Sequence, residues 1–215
     1  AWYRKHFIVN RGDTGRIIQV QFDGVYMNAD VWINGEYLGN HPYGYTGFTY
    51  DISKKVKFGK ENVIAVEVKN EGQNSRWYSG SGLYRHVWLY TLFPVYASQW
   101  GTYITTSGVS ASFARIHILA QIINELKDGG LVTVKTKILN NKGLEVANQS
   151  SVQEVTGRNA MEYKNDFILK DPQIWSIEDP VQYTAVSAEY LHEKLTDIEK
   201  PKFGIRKISF DAVNG

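Results

Sequence analysis

Apolar and polar residues alternate with a period of two in many segments of this chain of 215 residues. Ile18, Val20 and Phe22 occupy one face of the first clear segment, and two glutamines occupy the other. Segment 61–69 repeats the pattern. Because successive side chains of a β-strand point to opposite faces, this alternation predicts half-buried strands.

The dipeptide Asn34-Gly35 lies between two apolar runs. Both residues tolerate the positive φ angles of a type I′ turn, so the pair predicts a β-hairpin. A loop rich in Gly and Tyr follows at 40–48 and has no clear period. We expect its aromatic rings to lie on the surface or at a domain contact, with most of them packed.

The second half of the chain also alternates. Segments 114–124 and 132–139 place apolar residues on one face, and segment 183–190 supplies a further strand. Segment 157–164 is interpreted as a connection between strands. Short strands separated by turns at such intervals predict a β-sandwich.

The predicted fold class is therefore all-β, with two sandwich domains at 1–95 and 96–208. A length of 215 residues suits two domains of about 100 residues each. Hydrophobic residues make up 43% of the chain, enough to fill two cores. Trp32, Trp88 and Trp175 are assigned to those cores.

Composition narrows the possible partners. The net charge is +2 and the basic residues are scattered, so neither a nucleic acid nor an anionic membrane is an expected partner. No apolar run approaches the roughly 18 residues of a membrane-spanning helix. The chain has no cysteine, and its five histidines lack ligand spacing, so we expect no metal site and no cofactor.

One loop combines the residue types of a binding site. It runs from residue 76 to 85 as Arg76-Trp77-Tyr78-Ser79-Gly80-Ser81-Gly82-Leu83-Tyr84-Arg85. Its glycines, arginines and aromatic side chains suit a surface that contacts a polar, flat ligand or a partner domain. The alternative is a hairpin connection whose aromatic residues cap a core.

An ordered series of motifs extends from residue 22 to this loop: Phe22-Asp23-Gly24-Val25-Tyr26, Val31-Trp32-Ile33-Asn34-Gly35, Tyr50-Asp51-Ile52 and Asn62-Val63-Ile64-Ala65-Val66. The series resembles the N-terminal sugar-binding domain of glycoside hydrolase family 2, and the loop is most similar to its β-galactosidase branch. The segments Ile174-Trp175-Ser176-Ile177-Glu178-Asp179-Pro180 and Phe203-Gly204-Ile205-Arg206-Lys207 extend the resemblance to the family's second domain. The resemblance implies a jelly-roll sandwich followed by an immunoglobulin-like sandwich.

The resemblance also implies roles for three residues of the loop. The first domain of such enzymes narrows the active-site pocket, which makes Arg76 a donor to sugar hydroxyls and Trp77 or Tyr78 a stacking or wall residue. Arg76 pairing with an acidic residue of the catalytic domain is the alternative. Arg85 is interpreted as an ion-pair or interdomain residue.

The catalytic residues implied by the resemblance lie outside this chain. A retaining glycosidase uses two carboxyl groups about 5 Å apart, and this family carries both, as glutamates, on a (β/α)8 barrel that follows the second domain. Residues 209–215 would begin the linker into that barrel. We therefore expect a piece of a longer enzyme that hydrolyses terminal β-D-galactosyl residues, itself inactive and partnered by a β-galactoside and by its own barrel.

Two other classes of function stay open: a stand-alone carbohydrate-binding module, and a surface-adhesion protein built of sandwiches. Related enzymes act on glucuronic acid or mannose, and the parent enzyme is compatible with an oligomer. A bacterial periplasmic or secreted location is our expectation, with any leader peptide encoded before Ala1.

Overall fold

The computed structural model describes residues 1–72 and 79–213. Within them the regular structure is β-strand, apart from one turn of 3-10 helix at Arg11–Asp13. None of the described helical structure is long and apolar enough to cross a membrane. The chain divides into two compact units, Ala1–Leu92 and Phe93–Gly215.

The first unit is a sandwich of two antiparallel sheets and a short strand pair. Its strands are β1 (Trp2–Ile8), β2 (Ile17–Phe22), β3 (Val25–Tyr26), β4 (Ala29–Ile33), β5 (Glu36–His41), β6 (Phe48–Asp51), β7 (Glu61–Val68), β8 (Gly82–Leu83) and β9 (Val87–Leu92). One sheet has the order β1-β7-β4-β5, the other has the order β6-β2-β9, and β3 pairs with β8.

The alternation predicted for this unit is confirmed. Ile18, Val20 and Phe22 are buried in its core. The predicted hairpin is also confirmed, because Asn34 and Gly35 have φ angles of 52° and 87° and join β4 to β5. The Asn34 side chain fixes this turn by donating to Asn62 Oδ1 at 2.8 Å.

The second unit is a sandwich of longer strands. They are β10 (Val95–Ala97), β11 (Tyr103–Ser107), β12 (Phe113–Asn124), β13 (Gly130–Leu139), β14 (Glu145–Val155), β15 (Asn159–Lys170), β16 (Tyr183–Leu191), β17 (Lys194–Glu199) and β18 (Lys202–Phe203). In one sheet β12 pairs with β10, β11 and β15, and the other sheet has the order β14-β13-β16-β17 with β18 also on β16.

Three details differ from the sequence-based expectations. Segment 157–164 was expected to be a connection, but β15 begins at Asn159 and pairs along its whole length with β12. Val95 lies in β10 and pairs with Asn124 inside the second unit. Trp88, expected in the core, is 46% exposed because β9 is an edge strand and this side chain points outward.

A buried polar layer divides the core of the second unit. Apolar clusters lie on both sides of it, one around Ile116 and Phe167 and the other around Ile122 and Tyr163. The layer consists of four fully buried side chains, Thr136, Asn165, Ser187 and Glu189.

Hydrogen bonds link the layer across the two sheets. Asn165 Nδ2 donates to Thr136 Oγ1 at 2.9 Å, and the hydroxyls of Thr136 and Ser187 are 3.1 Å apart. The carboxyl oxygens of Glu189 have no hydrogen-bond partner among the described residues. Burial, reinforced by the charges of Asp197 and then Glu199, raises the pKa of Glu189 to about 9.

The protonated carboxyl of Glu189 makes the stability of this unit depend on pH. The folded protein holds a proton that the unfolded chain, with its ordinary pKa of 4.5, releases. The contribution of Glu189 to the free energy of unfolding should therefore be largest below pH 4.5 and should fall as pH rises towards 9. The slope from one such group approaches about 1.4 kcal/mol per pH unit.

Glu189→Gln should flatten this dependence, as measured by urea unfolding between pH 5 and about 9. Burial also raises the pKa of Glu199, so part of the slope should persist. Glu162→Gln, at an exposed position of β15, is the matched control and should leave the slope unchanged. If the free energy of unfolding of Glu189→Gln depended on pH with the same slope as that of the wild type, the Glu189 carboxyl would not be neutral in the folded protein.

Candidate functional site

The three loop residues singled out from the sequence, Arg76, Trp77 and Tyr78, lie outside the described residues. The C-terminal stem of their loop is described. There β8 pairs with β3, with Gly82 opposite Tyr26. β8 therefore lies beside the segment that follows β2.

An exposed group of tyrosines surrounds this stem. Tyr43, Tyr45 and Tyr84, here called the tyrosine surface, are 57%, 52% and 47% exposed. The hydroxyl of Tyr84 donates to the carbonyl oxygen of Gly44 at 2.8 Å, joining residues that are 40 positions apart. The Gly- and Tyr-rich loop at 40–48 thus presents the rings of Tyr43 and Tyr45 to solvent. Most of the rings of this loop were expected to be packed.

Close packing holds the tyrosine surface in place. Tyr45 meets Tyr26 edge to face with ring centroids 5.3 Å apart, and Tyr43 meets Tyr45 at 5.6 Å. The backbone of Gly44 touches the ring of Tyr26, leaving no space for a β-carbon. Partial desolvation of its hydroxyl, and then the neighbouring Tyr26, raises the pKa of Tyr45, so its phenol stays protonated at neutral pH.

A carboxylate lies next to the tyrosine surface. Asp23 accepts hydrogen bonds from Gln21 Nε2 at 2.6 Å and from Trp88 Nε1 at 2.8 Å, and His86 Nδ1 is 4.0 Å away. The bond from Trp88 is the largest cause that lowers the pKa of Asp23. Asp23 is therefore ionised at neutral pH.

Arg85 interacts with both the tyrosine surface and the Asp23 carboxylate. Its guanidinium lies 5.4 Å from the centre of the Tyr84 ring, and its charge also lowers the pKa of Asp23. No ion pair of Arg85 occurs among the described residues, and its role as an ion-pair or interdomain residue stays a prediction. Sequence reasoning missed Asp23 and Trp88, because their contact spans 65 residues of the chain.

These side chains suit the binding of a small molecule. Aromatic faces combined with a few fixed polar groups are the usual lining of small-molecule sites. Retaining glycoside hydrolysis uses two carboxyl groups about 5 Å apart, whereas Asp23 is bonded to an amide and an indole. Among the described residues, no three His, Asp or Glu side chains gather in a way that could hold a metal ion.

The second unit carries a chain of hydrogen bonds that resembles a catalytic relay. Ser107 Oγ lies 2.8 Å from His117 Nε2, and His117 Nδ1 lies 2.6 Å from Asp166 Oδ1. The Asp166 side chain is 74% exposed, whereas the aspartate of a serine-hydrolase triad is buried. We assign these bonds to the stabilisation of three adjacent strands.

Comparison with known protein families divides the chain at the same place. The family model for the sugar binding domain of glycosyl hydrolases family 2 matches residues 1–93, and a second model of glycosyl hydrolases family 2 matches residues 100–206. The chain belongs to glycoside hydrolase family 2. Its all-β architecture is that of the family's two sandwich domains.

Curated members of family 2 align with the whole chain. Beta-galactosidase BoGH2A from Bacteroides ovatus is 41% identical over 216 residues, covering 100% of this chain and 25% of that protein. A beta-glucuronidase from Formosa agariphila is 31% identical over 236 residues, covering 100% of this chain and 24% of that protein. The chain thus spans about a quarter of the length of these family 2 relatives.

Solved structures of family 2 have the same fold. A glycosyl hydrolase family 2 member from Bacteroides cellulosilyticus is 42% identical with a TM-score of 0.96, covering 100% of this chain and 30% of that chain. A family 2 beta-glucuronidase is 30% identical with a TM-score of 0.92, covering 96% of this chain and 24% of that chain.

Gly44→Ala should disturb the tyrosine surface. The added β-carbon would overlap the ring of Tyr26, and overpacking of this kind costs about 1–3 kcal/mol. Gly12→Ala is the control, since its β-carbon would meet only Asn10 Oδ1 at 3.6 Å. Urea unfolding and near-ultraviolet circular dichroism of the tyrosines measure the effect, and equal behaviour of the two variants would contradict close packing at Gly44.

Proposed function

We propose that this chain is the N-terminal part of a longer family 2 glycosidase that hydrolyses terminal β-D-galactosyl residues with retention. The single observation that carries the choice of sugar is the 41% identity with the beta-galactosidase from Bacteroides ovatus, against 31% with a beta-glucuronidase. The two catalytic carboxyl groups would belong to a (β/α)8 barrel in the same polypeptide. In this proposal residues 209–215 lead towards that barrel.

The first domain, 1–95, would form part of the rim of the active site in the parent enzyme. Arg76 would donate to sugar hydroxyls, and Trp77 or Tyr78 would form a wall or stacking surface. The tyrosine surface supports this role, because it lies at the stem of the same loop and offers exposed aromatic faces with phenol donors. The second domain, 96–208, would support the barrel.

The choice of sugar is tested on the full-length parent protein with p-nitrophenyl β-D-galactoside and the corresponding glucuronide. A pocket with hydrogen-bond partners for one sugar leaves polar groups unpaired with the other, so kcat/KM should favour the galactoside by at least about tenfold. A preference for the glucuronide would overturn the galactosidase assignment and leave the glycosidase assignment in place. Hydrolysis of neither glycoside would overturn both.

Arg76→Ala in the parent tests the rim. Loss of a charged hydrogen bond to substrate costs about 1.5–3 kcal/mol, or roughly 10- to 150-fold in kcat/KM. Arg115→Ala, on β12 of the second unit, is the matched control and should keep full activity. If Arg76 pairs with the barrel instead, its loss should lower the melting temperature and reduce kcat/KM equally for all aryl glycosides.

Titration of the isolated chain with galactose separates an incomplete site from a stand-alone binding module. With only one wall of the pocket present, the dissociation constant should exceed about 1 mM. Calorimetry on the 215-residue chain measures it. Micromolar binding would favour a carbohydrate-binding module, and release of p-nitrophenol by this chain alone would show that catalysis does not need the barrel.

A further inference from the structure

The outer face of the sheet β1-β7-β4-β5 carries three aromatic side chains, Trp2, Trp32 and Tyr37, here called the aromatic platform. Trp32 was assigned to the core from the sequence, and this assignment is wrong. Its neighbours on β4, Val31 and Ile33, are fully buried, so Trp32 points to the opposite face of the sheet. Tyr37 lies opposite Trp32 in the pairing of β4 with β5 and therefore shares this outer face.

The three rings form one continuous layer. The ring centroids of Trp2 and Trp32 are 5.1 Å apart, and those of Trp32 and Tyr37 are 5.4 Å apart. Ala65 of β7 lies opposite Trp32, and its small side chain leaves room for the rings on either side. Trp2 and Tyr37 are 49% and 53% exposed. Because contact between water and so much aromatic surface is unfavourable, the platform has the character of an interaction site.

The tilt between the rings limits the shape of a ligand. The planes of Trp2 and Trp32 meet at 33°, and those of Trp32 and Tyr37 meet at 54°. A flat, crystalline surface could stack only on rings that share one plane. A single twisted chain can turn from one ring to the next and contact each of them. The platform therefore matches one chain in solution.

A row of bonded polar side chains lies beside the rings. Asp30 Oδ1 accepts from the Tyr37 hydroxyl at 2.7 Å and from Asn40 Nδ2 at 3.0 Å. Lys69 Nζ donates to Asp30 Oδ2 at 2.8 Å and lies 3.2 Å from Glu67 Oε2. The bond from Lys69 is the largest cause that lowers the pKa of Asp30, so this carboxyl is ionised at neutral pH. These bonds hold the polar row in a fixed position next to the platform.

The polar groups beside the platform keep donors and acceptors for a ligand. Both amide hydrogens of Asn40 are bonded to neighbouring side-chain oxygens at 3.0 Å, so its carbonyl oxygen is left to accept. Lys69 uses two of its three ammonium hydrogens. The Arg4 guanidinium lies 5.3 Å from the centre of the Trp2 ring and forms no ion pair among the described residues. A sugar hydroxyl both donates and accepts, so it can bond to each of these groups.

The charges beside the platform cancel. Arg4 and Lys69 are basic, and Asp30 and Glu67 are acidic. A surface without net charge does not attract a polyanion by long-range electrostatics, whereas a nucleic acid or an acidic polysaccharide is bound by an excess of basic groups. The expected ligand is therefore uncharged, with apolar faces for the rings and hydroxyl groups for the polar row.

We propose that the aromatic platform binds a single chain of a neutral, soluble polysaccharide. The sugar units would stack their C–H faces on the three rings, while their hydroxyl groups bond to Arg4, Asn40 and Lys69. None of these residues belongs to the tyrosine surface or to the loop at 76–85. The inference goes beyond the proposed function and does not depend on which sugar the parent enzyme hydrolyses.

A chain of sugars suits the platform better than a single sugar or a peptide. One sugar covers one ring, so free galactose binds weakly here, in agreement with the dissociation constant above about 1 mM expected for it. A proline-rich peptide also docks on aromatic residues. Such a peptide has few donors, however, and would leave the Asn40 carbonyl oxygen without a partner.

Calorimetric titration of the 215-residue chain with galactomannan and with β-1,4-galactan tests the proposal. At least one of the two polymers should bind with a dissociation constant below about 1 mM per occupied site. Trp2→Ala and Tyr37→Ala should each weaken this binding by at least about tenfold, because each removes an aromatic anchor. Trp100→Ala and Tyr103→Ala are the matched controls, since their rings are 63% and 66% exposed in the second unit, and should leave the affinity unchanged.

Three results would overturn the proposal. The first is that neither polymer binds, and the second is that Trp2→Ala and Tyr37→Ala bind as tightly as the wild type. The third is tighter binding of heparin or of a proline-rich peptide than of both neutral polymers, which would assign the platform to another class of ligand.

A second measurement needs no variant and stays informative if a substitution disturbs the fold. N-bromosuccinimide oxidises exposed indole rings, and mass spectrometry of the peptides follows each tryptophan separately. The polymer that binds, at a saturating concentration, should slow the oxidation of Trp2 by at least about threefold, because a bound ligand covers most of the surface that it contacts. Trp100 is the internal control and should be oxidised at the same rate with and without the polymer. An unchanged rate at Trp2 would show that the polysaccharide binds elsewhere.

Neither measurement uses enzymatic activity. A parent protein without glycosidase activity would end the proposed function, while the titration and the oxidation would still decide whether the aromatic platform binds a polysaccharide. An active parent whose platform binds neither polymer would have the opposite meaning.

Discussion

The inward face of each sheet must be covered by the other sheet, and this requirement governs both sandwiches. Side-chain direction alternates along a strand, so every second residue depends on the opposite sheet for burial. In the second unit the requirement is met along β12, where Ile116, Ile118, Ala120 and Ile122 are at most 1% exposed. In the first unit it is not met at the side lined by β1 and β9, where Val87 and Leu89 are 43% and 44% exposed.

Strand identity and the two-domain, all-β class were accessible from the sequence because they follow from local alternation and turn chemistry. The Asn34-Gly35 hairpin needed only the two residues that tolerate its backbone angles. Which strands lie at the edge of a sheet could not be predicted from the sequence, since this depends on which strands pair. Trp88 illustrates this: its alternation is that of a core strand, yet it lies on an edge and bonds Asp23.

The candidate site could be predicted from the sequence only in part. The loops at 40–48 and 76–85 stand out by composition, because glycine and aromatic residues seldom gather without a reason of packing or binding. Their proximity was hidden, because it depends on the pairing of β3 with β8 and on the bond from Tyr84 to Gly44, contacts between residues far apart in sequence. The roles of Arg76, Trp77 and Tyr78 stay predictions.

The polar layer in the second unit also has a consequence for how the two sheets find their alignment during folding. Asn165 and Thr136 come from different sheets and can bond only when β15 and β13 are opposed as they are in the structure. A shift of either sheet by two residues would keep the apolar faces together but place these amide and hydroxyl groups against hydrocarbon. An entirely aliphatic core would allow such sliding at little cost. The buried polar groups thus exchange some stability for a single alignment of the sheets.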